Sequence, residues 1–97
     1  MEINFEVKYH EDVVKNDIPS LPVNDRDMIK RAIETRLMRK PEIYGKPLRK
    51  SLKGYRKLRV GDYRIVFRIE EENGLIKIFI IQNRKAVYKN VTARIEK

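Results

Sequence analysis

The chain contains no cysteine and only one histidine. Disulfide bonds and thiolate metal sites are therefore excluded, and a lone imidazole, His10, cannot assemble the ligand set of a metal centre. No metal and no other cofactor is expected. A composition without cysteine fits a reducing cytoplasm. Long apolar runs are missing too, and nothing in the sequence approaches the ~20 residues of a membrane-spanning helix. The opening residues MEINFEVKYH carry acids and an alternating pattern, where a secretory signal has a basic stretch and then an apolar block. The expectation is a soluble cytoplasmic protein with no membrane partner. Its 97 residues suffice for one domain, 1–97, that buries about two-thirds of its unfolded surface in a single core. Internal repeats and low-complexity segments are absent.

Acidic residues are scarce in one segment. Positions 43 to 69 hold nine basic side chains (Lys46, Arg49, Lys50, Lys53, Arg56, Lys57, Arg59, Arg64 and Arg68) and one acid, Asp62. The other seventy residues hold 14 basic and 13 acidic side chains, so nearly all of the +9 charge is concentrated here. A basic face on an otherwise neutral globule is the electrostatic footprint of nucleic-acid binding. A membrane surface would call for this charge on an amphipathic helix instead.

Within that segment, KLRVGDYRIVFR at positions 57 to 68 organises the chain. It reads as two strands joined at Gly61-Asp62, with glycine at the first central position of a type II′ turn. Counting outward from the turn pairs Val60 with Tyr63, Arg59 with Arg64, Leu58 with Ile65 and Lys57 with Val66. Alternation then puts Leu58, Val60, Tyr63, Ile65 and Phe67 on one face, and Lys57, Arg59, Arg64 and Arg68 on the other. Two arginines directly opposite destabilise the pair by about a few tenths of a kcal/mol. A polyanionic ligand would explain the pairing; the fold alone does not.

Residues 2 to 9 alternate cleanly, with Ile3, Phe5, Val7 and Tyr9 on the inner face of a half-buried strand. Val14, Ile18 and Leu21 fall at helical spacing in a short helix limited by Pro19. Asn24 is the expected N-cap of a second helix whose covering face runs Met28, Ile29, Ala32, Ile33, Arg36 and Leu37, with Pro41 as its stop. Positions 42 to 53 read as an irregular connector pinned by Leu48 and Leu52. The run LIKIFIIQ, 75 to 82, is nearly continuously apolar, as in strands buried on both faces, and is expected inside the sheet. The tail after Tyr88 is short, with Val91 and Ile95 as anchors. The expected fold is α+β in the order β-α-α-β-β-β, a two-helix hairpin on one face of a mostly antiparallel four-stranded sheet. The other face is left to the charged side of the hairpin.

The run YGKPLRKSLKGYRKLRVGDYRIVFRIE, followed by a buried apolar strand and NRKAVY, resembles the RelE/ParE toxin superfamily, and within it the RelE branch. The resemblance covers nearly the whole chain. It implies the toxin of a type II toxin–antitoxin system, a metal-independent endoribonuclease that cuts mRNA in the ribosomal A site and is silenced by a RelB-like antitoxin. Ribosome, mRNA and antitoxin are then the expected partners. Carried onto this sequence, the catalytic set is Lys57, Arg59, Arg64, Arg84 and Tyr88. Lys46, Arg49, Lys50, Lys53 and Arg68 are expected on RNA backbone.

The chemistry suits these residue types. Cleavage of RNA by its own 2′-hydroxyl requires a base, stabilisation of a pentacovalent phosphate and protonation of the departing 5′-oxygen. Arginine grips phosphate through a planar fork and keeps its charge. Arg59 and Arg64 are expected to clamp the scissile phosphate, and Arg84 to hold the leaving side. Relatives commonly carry lysine where this chain has Arg59 and histidine where it has Asn83, so the base is left to Lys57 or Tyr88. Structural alternatives are solvent-facing strand cations for Lys57 and Arg59, an ion pair of Arg84 with Asp62 or Glu70, and edge packing for Tyr88. Two functional alternatives stand beside the nuclease: a ParE-like toxin acting on DNA gyrase, and a non-catalytic RNA-binding or antitoxin-binding relative.

Overall fold

The computed structural model describes residues 4–96, so Glu2 and Ile3 of the expected first strand lie outside the described residues. Among the described residues five strands form one sheet: β1 Glu6–Tyr9, β2 Lys46–Pro47, β3 Arg56–Val60, β4 Tyr63–Glu70 and β5 Leu75–Asn83, in the order β1-β5-β4-β3-β2. β1 runs parallel to β5 and the other neighbours are antiparallel. The apolar β5 is flanked on both sides, as its composition requires. The expected four strands are corrected to five, because the connector adds β2 at the edge beside β3. That strand is two residues long and includes Pro47, which suits an edge position since proline donates no ladder hydrogen bond.

The hairpin of β3 and β4 has the register counted from its turn, Arg59 opposite Arg64 and Lys57 opposite Val66 included. Gly61 sits at φ +57°, and Asp62 is not among the residues with positive φ, the combination a type II′ turn uses. Gly45 answers a different demand. A Cβ there would collide with the Phe67 ring, so only glycine lets the connector pass over the core.

The first helix, Val13–Asp17, is a wide turn in which Ile18 N–H donates to the Val13 carbonyl at 2.9 Å. Its inward stripe differs from the expected one: Val13 is buried and Val14 is 55% exposed. The stripe passes through Asp17, also buried, and a carboxylate within it hid it from an apolar pattern. Helix α1, Val23–Ala32, starts with Pro22 at its cap, so Asn24 lies in the first turn and the expected Asn24 cap is corrected. A wide turn over Ile33–Leu37 extends it, closed by Met38 N–H on the Ile33 carbonyl. Ile29, Ala32, Ile33 and Leu37 are buried, while Met28 is 40% exposed. Pro41 does more than stop this helix. It opens a short α2, Pro41–Tyr44, where a missing N–H costs nothing.

The largest revision is at the C-terminus. The residues after Tyr88, expected as a short tail, belong with Arg84 to Tyr88 to one helix, α3, Arg84–Glu96. Its stripe is Val87, Val91 and Ile95, packed against Val66 and Ile80. Val87 supplies the repeat that makes the expected anchors Val91 and Ile95 helical. Beyond Val66, the sheet's second face is therefore not left to charge alone. One end of it is roofed by α3, and the hairpin's cations stay open beside that roof.

A bulge between Val66 and Phe67 lets one more residue of β5 into the ladder: Val66 faces Ile80 and Phe67 faces Ile78. The slip changes which parity points inward. Ile76, Ile78 and Ile81 all join the helical core with Ile65 and Phe67, while Ile80 turns to α3.

Candidate active site

The Gly61-Asp62 turn joins two parts of the chain that are far apart in sequence. Arg64 folds back on it, its guanidinium donating to the Gly61 carbonyl at 3.1 Å and the Tyr63 carbonyl at 2.9 Å. Arg84, the first residue of α3, donates its backbone N–H to the Asp62 carbonyl at 3.0 Å. The start of α3 is thereby fastened to the hairpin, next to Arg64. Register supports the placement, because Arg64 pairs with Gln82 and Tyr63 with Asn83 at the end of β5.

Asn83 has a structural task of its own. Its side-chain oxygen accepts the Ala86 N–H at 2.9 Å, the bond of a helix N-cap. The residue that departs from the expected histidine thus organises the turn carrying Arg84 and Tyr88. Asparagine just before the Val87, Val91, Ile95 repeat is the sequence signal of this cap.

Between the hairpin and α3 runs a groove of about 760 Å³. Lys57, Arg59, Arg64, Arg84 and Tyr88 all line it, so the structure brings together the whole expected catalytic set. Leu48, Leu52, Val66, Val87, Val91 and Thr92 complete the lining, a floor that charge and motif did not reveal. Tyr88 is 91% exposed, which excludes edge packing. Glu70 is occupied by Arg68 at 2.8 Å, and no ion pair of Lys57, Arg59 or Arg84 occurs among the described residues.

The expected RNA-backbone residues divide. Lys46 is on the edge strand beside Lys57, and Arg49, Lys50 and Lys53 are exposed in the connector that supplies Leu48 and Leu52. Arg68 shares the sheet face but not the groove. It pairs with Glu70 and lies over the Tyr55 ring at 5.8 Å, and its hydrogen bond holds the Glu70 carboxyl below its usual pKa. Arg56 is also structural, donating to the Glu42 and Gly45 carbonyls.

The electrostatics favour an anionic occupant. Like charges converge without acids between them, and α3 has Arg84 and Lys85 but no acid in its first turn. Cations there oppose the helix dipole, whereas an anion near a helix N-terminus is stabilised. The groove can hold phosphate oxygens between cations, beside an exposed aromatic ring able to stack on a base or exchange a proton.

Comparison with known proteins agrees with this reading of the fold. The family model of the ParE toxin of type II toxin–antitoxin systems (parDE) matches residues 11–88. Toxin RelE of Mycobacterium tuberculosis is 40% identical over 53 residues, 55% of this chain and 55% of that protein. Toxin RelG of the same organism is 38% identical over 53 residues, 55% of this chain and 61% of its own. The chain thus spans little more than half the length of these curated relatives. Among solved structures, the toxin–antitoxin complex RelBE2 from M. tuberculosis aligns with TM-score 0.79 and 28% identity, covering 84% of this chain and 93% of that one. A mutant of E. coli toxin RelE in the free state aligns with TM-score 0.71 and 21% identity over 95% and 98% of the two chains, a likeness of fold. The chain belongs to the RelE/ParE superfamily of type II toxin–antitoxin toxins.

Proposed function

We propose that this chain is a RelE-type mRNA interferase, an endoribonuclease that cleaves mRNA in the ribosomal A site and so inhibits translation. The observation that carries this reading is the convergence of Lys57, Arg59, Arg64, Arg84 and Tyr88 in one groove. In the proposed reaction Arg59 and Arg64 grip the non-bridging oxygens of the scissile phosphate. The 2′-hydroxyl loses its proton to Lys57 or Tyr88 and attacks phosphorus, the P–O5′ bond breaks, and the departing oxygen takes a proton. The products are a 2′,3′-cyclic phosphate and a 5′-hydroxyl. Arg84 stabilises charge on the leaving side, as a fixed donor aimed at developing charge does. Alignment of the RNA for this attack falls to the ribosome.

The proposed regulator is a RelB-like antitoxin. Solved relatives of the same fold include RelB–RelE complexes, one of them from Pyrococcus horikoshii. A groove so rich in positive charge is neutralised by covering it or by moving α3. The test is incubation with programmed ribosomes and mapping of mRNA ends: wild type yields cuts within the A-site codon, and Arg64→Ala or Arg84→Ala is impaired. Absence of cuts by wild type refutes the reading.

The match to the ParE family model favours a second reading, a toxin acting on DNA gyrase. A supercoiling assay separates the two. Gyrase inhibition that survives Arg84→Ala, with no mRNA cleavage, supports the second.

A further inference from the structure

Helix α3 carries Arg84 and Tyr88 into the groove; its first residue is tied to the hairpin by the Arg84 N–H on the Asp62 carbonyl, and beyond that point two kinds of contact hold it on the sheet. The apolar hold is small, with Val87 and Val91 as the helix's buried residues. Burial of this sort is non-directional: it turns the apolar stripe toward the sheet and sets the roll of the helix only to within the width of that stripe. The polar hold is directional. β1 pairs with β5 only as far as Ile78, and past that point Asp17 of the first helix takes over the open edge. Its buried carboxylate accepts the Ile81 N–H and the Gln82 side-chain amide, each at 2.9 Å.

Arg94 of α3 grips the same carboxylate as a fork, Nη1 to Oδ2 at 2.9 Å and Nη2 to Oδ1 at 3.1 Å. It also donates to the Phe79 carbonyl at 2.9 Å and approaches Asp12 Oδ2 at 3.5 Å. One turn earlier, Asn90 donates to Gln82 Oε1 at 3.0 Å. At 3.6 residues per turn, Asn90 and Arg94 project roughly opposite Tyr88. The tether therefore grips one flank of the helix and the groove occupies the other.

We propose that Asp17 and Arg94 are positioning residues, which set the roll of α3 and with it the placement of Tyr88 and Arg84 in the groove. The inference rests on that groove being the nuclease site. A buried ion pair is a weak source of net stability, since desolvation offsets its attraction, and geometric registry is its best-attested use. A forked, fully hydrogen-bonded pair also defines angle as well as distance. Misplacing a catalytic group by ~1 Å costs up to about 100-fold in rate.

The decisive variant is Asp17→Asn combined with Arg94→Gln, which removes the fork without leaving a lone buried charge. With programmed ribosomes as substrate, kcat falls about 10-fold or more while KM stays within about 2-fold. In a Tyr88→Phe background the same double change costs less. An unchanged kcat, or the same fold loss in the Tyr88→Phe background, overturns the proposal. A second arm needs no activity. In amide NMR spectra of the isolated protein, the resonances of residues 84 to 88 move while those of β3 stay in place. Stationary resonances at 84 to 88 overturn the proposal. Should wild type fail to cut mRNA, the nuclease reading fails and the spectra alone decide whether the tether sets the helix. If the double variant does not fold, Asn90→Ala, which removes an exposed contact of the same tether, carries both arms.

Discussion

Beneath the N-terminal helices, the sheet buries Ile65, Phe67, Ile76 and Ile78 completely, with Val13, Ile29, Ile33 and Leu37 interlocked above them. The opposite face buries Val66 and Ile80 under α3 and leaves Lys57, Arg59 and Arg64 open next to that cover. The two faces come from alternate residues of the same strands, yet they meet different demands. On the first, the central positions Ile65, Phe67, Ile76 and Ile78 are apolar and packed, as folding requires. On the second, two arginines are kept directly opposite each other, a like-charge pairing that lowers stability. Cost to the fold on one side of a sheet, with no such cost on the other, is the pattern expected where a surface is kept for a ligand.

Substitutions on the two faces separate these demands. Phe67→Ala on the helical face should cost about 3–5 kcal/mol of stability, read as a shift in the denaturant midpoint. Arg84→Ala should leave that midpoint unchanged, because the guanidinium has no ion-pair partner among the described residues. Its cleavage rate should fall about 100- to 1000-fold, the usual loss when one donor to developing charge is removed. The same variant should flatten the salt dependence of single-stranded RNA binding by about 0.7 in the log–log slope, one phosphate contact fewer.

Val91→Ala, beneath α3, should cost roughly 1.5 kcal/mol, less than the opposite face because the satellite cluster is small. A loss as large as that of Phe67→Ala would erase the distinction between the faces. Arg68→Ala should have the smallest effect. It faces the groove's side of the sheet but is engaged by Glu70, so cleavage stays at the wild-type rate. Its influence on stability follows pH. The Glu70 carboxyl is held below its usual 4.5 by the Arg68 hydrogen bond, so the pair contributes above that pH and the contribution is lost as pH falls through the lowered value. Denaturation of wild type and Arg68→Ala should therefore differ slightly at pH 7 and converge in acid.

Much of this was legible in the residues. The Gly61-Asp62 turn determined the hairpin register residue by residue, because a two-residue loop leaves no freedom in the count. The apolar run from Leu75 announced an interior strand. Arg84 and Tyr88, four apart, already had the spacing of neighbours on one helical face. Other features were hidden for physical reasons. β2 is too short for any periodicity, and its pairing is decided by the chain around it. Helix α3 was concealed because its apolar stripe is thin and its polar residues make their contacts across the sheet edge. Nothing local in the sequence distinguishes Asp17 from the other acids, and only the open edge of β5 gives its carboxylate donors to accept from. Long-range polar tethers of this kind leave no local pattern.

The most direct test of the account is end-mapping of mRNA on programmed ribosomes with wild type and Arg84→Ala, alongside their denaturation curves. The account predicts cuts within the A-site codon by wild type, cuts reduced about 100-fold or more in the variant, and superimposable unfolding. Cleavage by Arg84→Ala at the wild-type rate, or no cleavage by either protein, contradicts it.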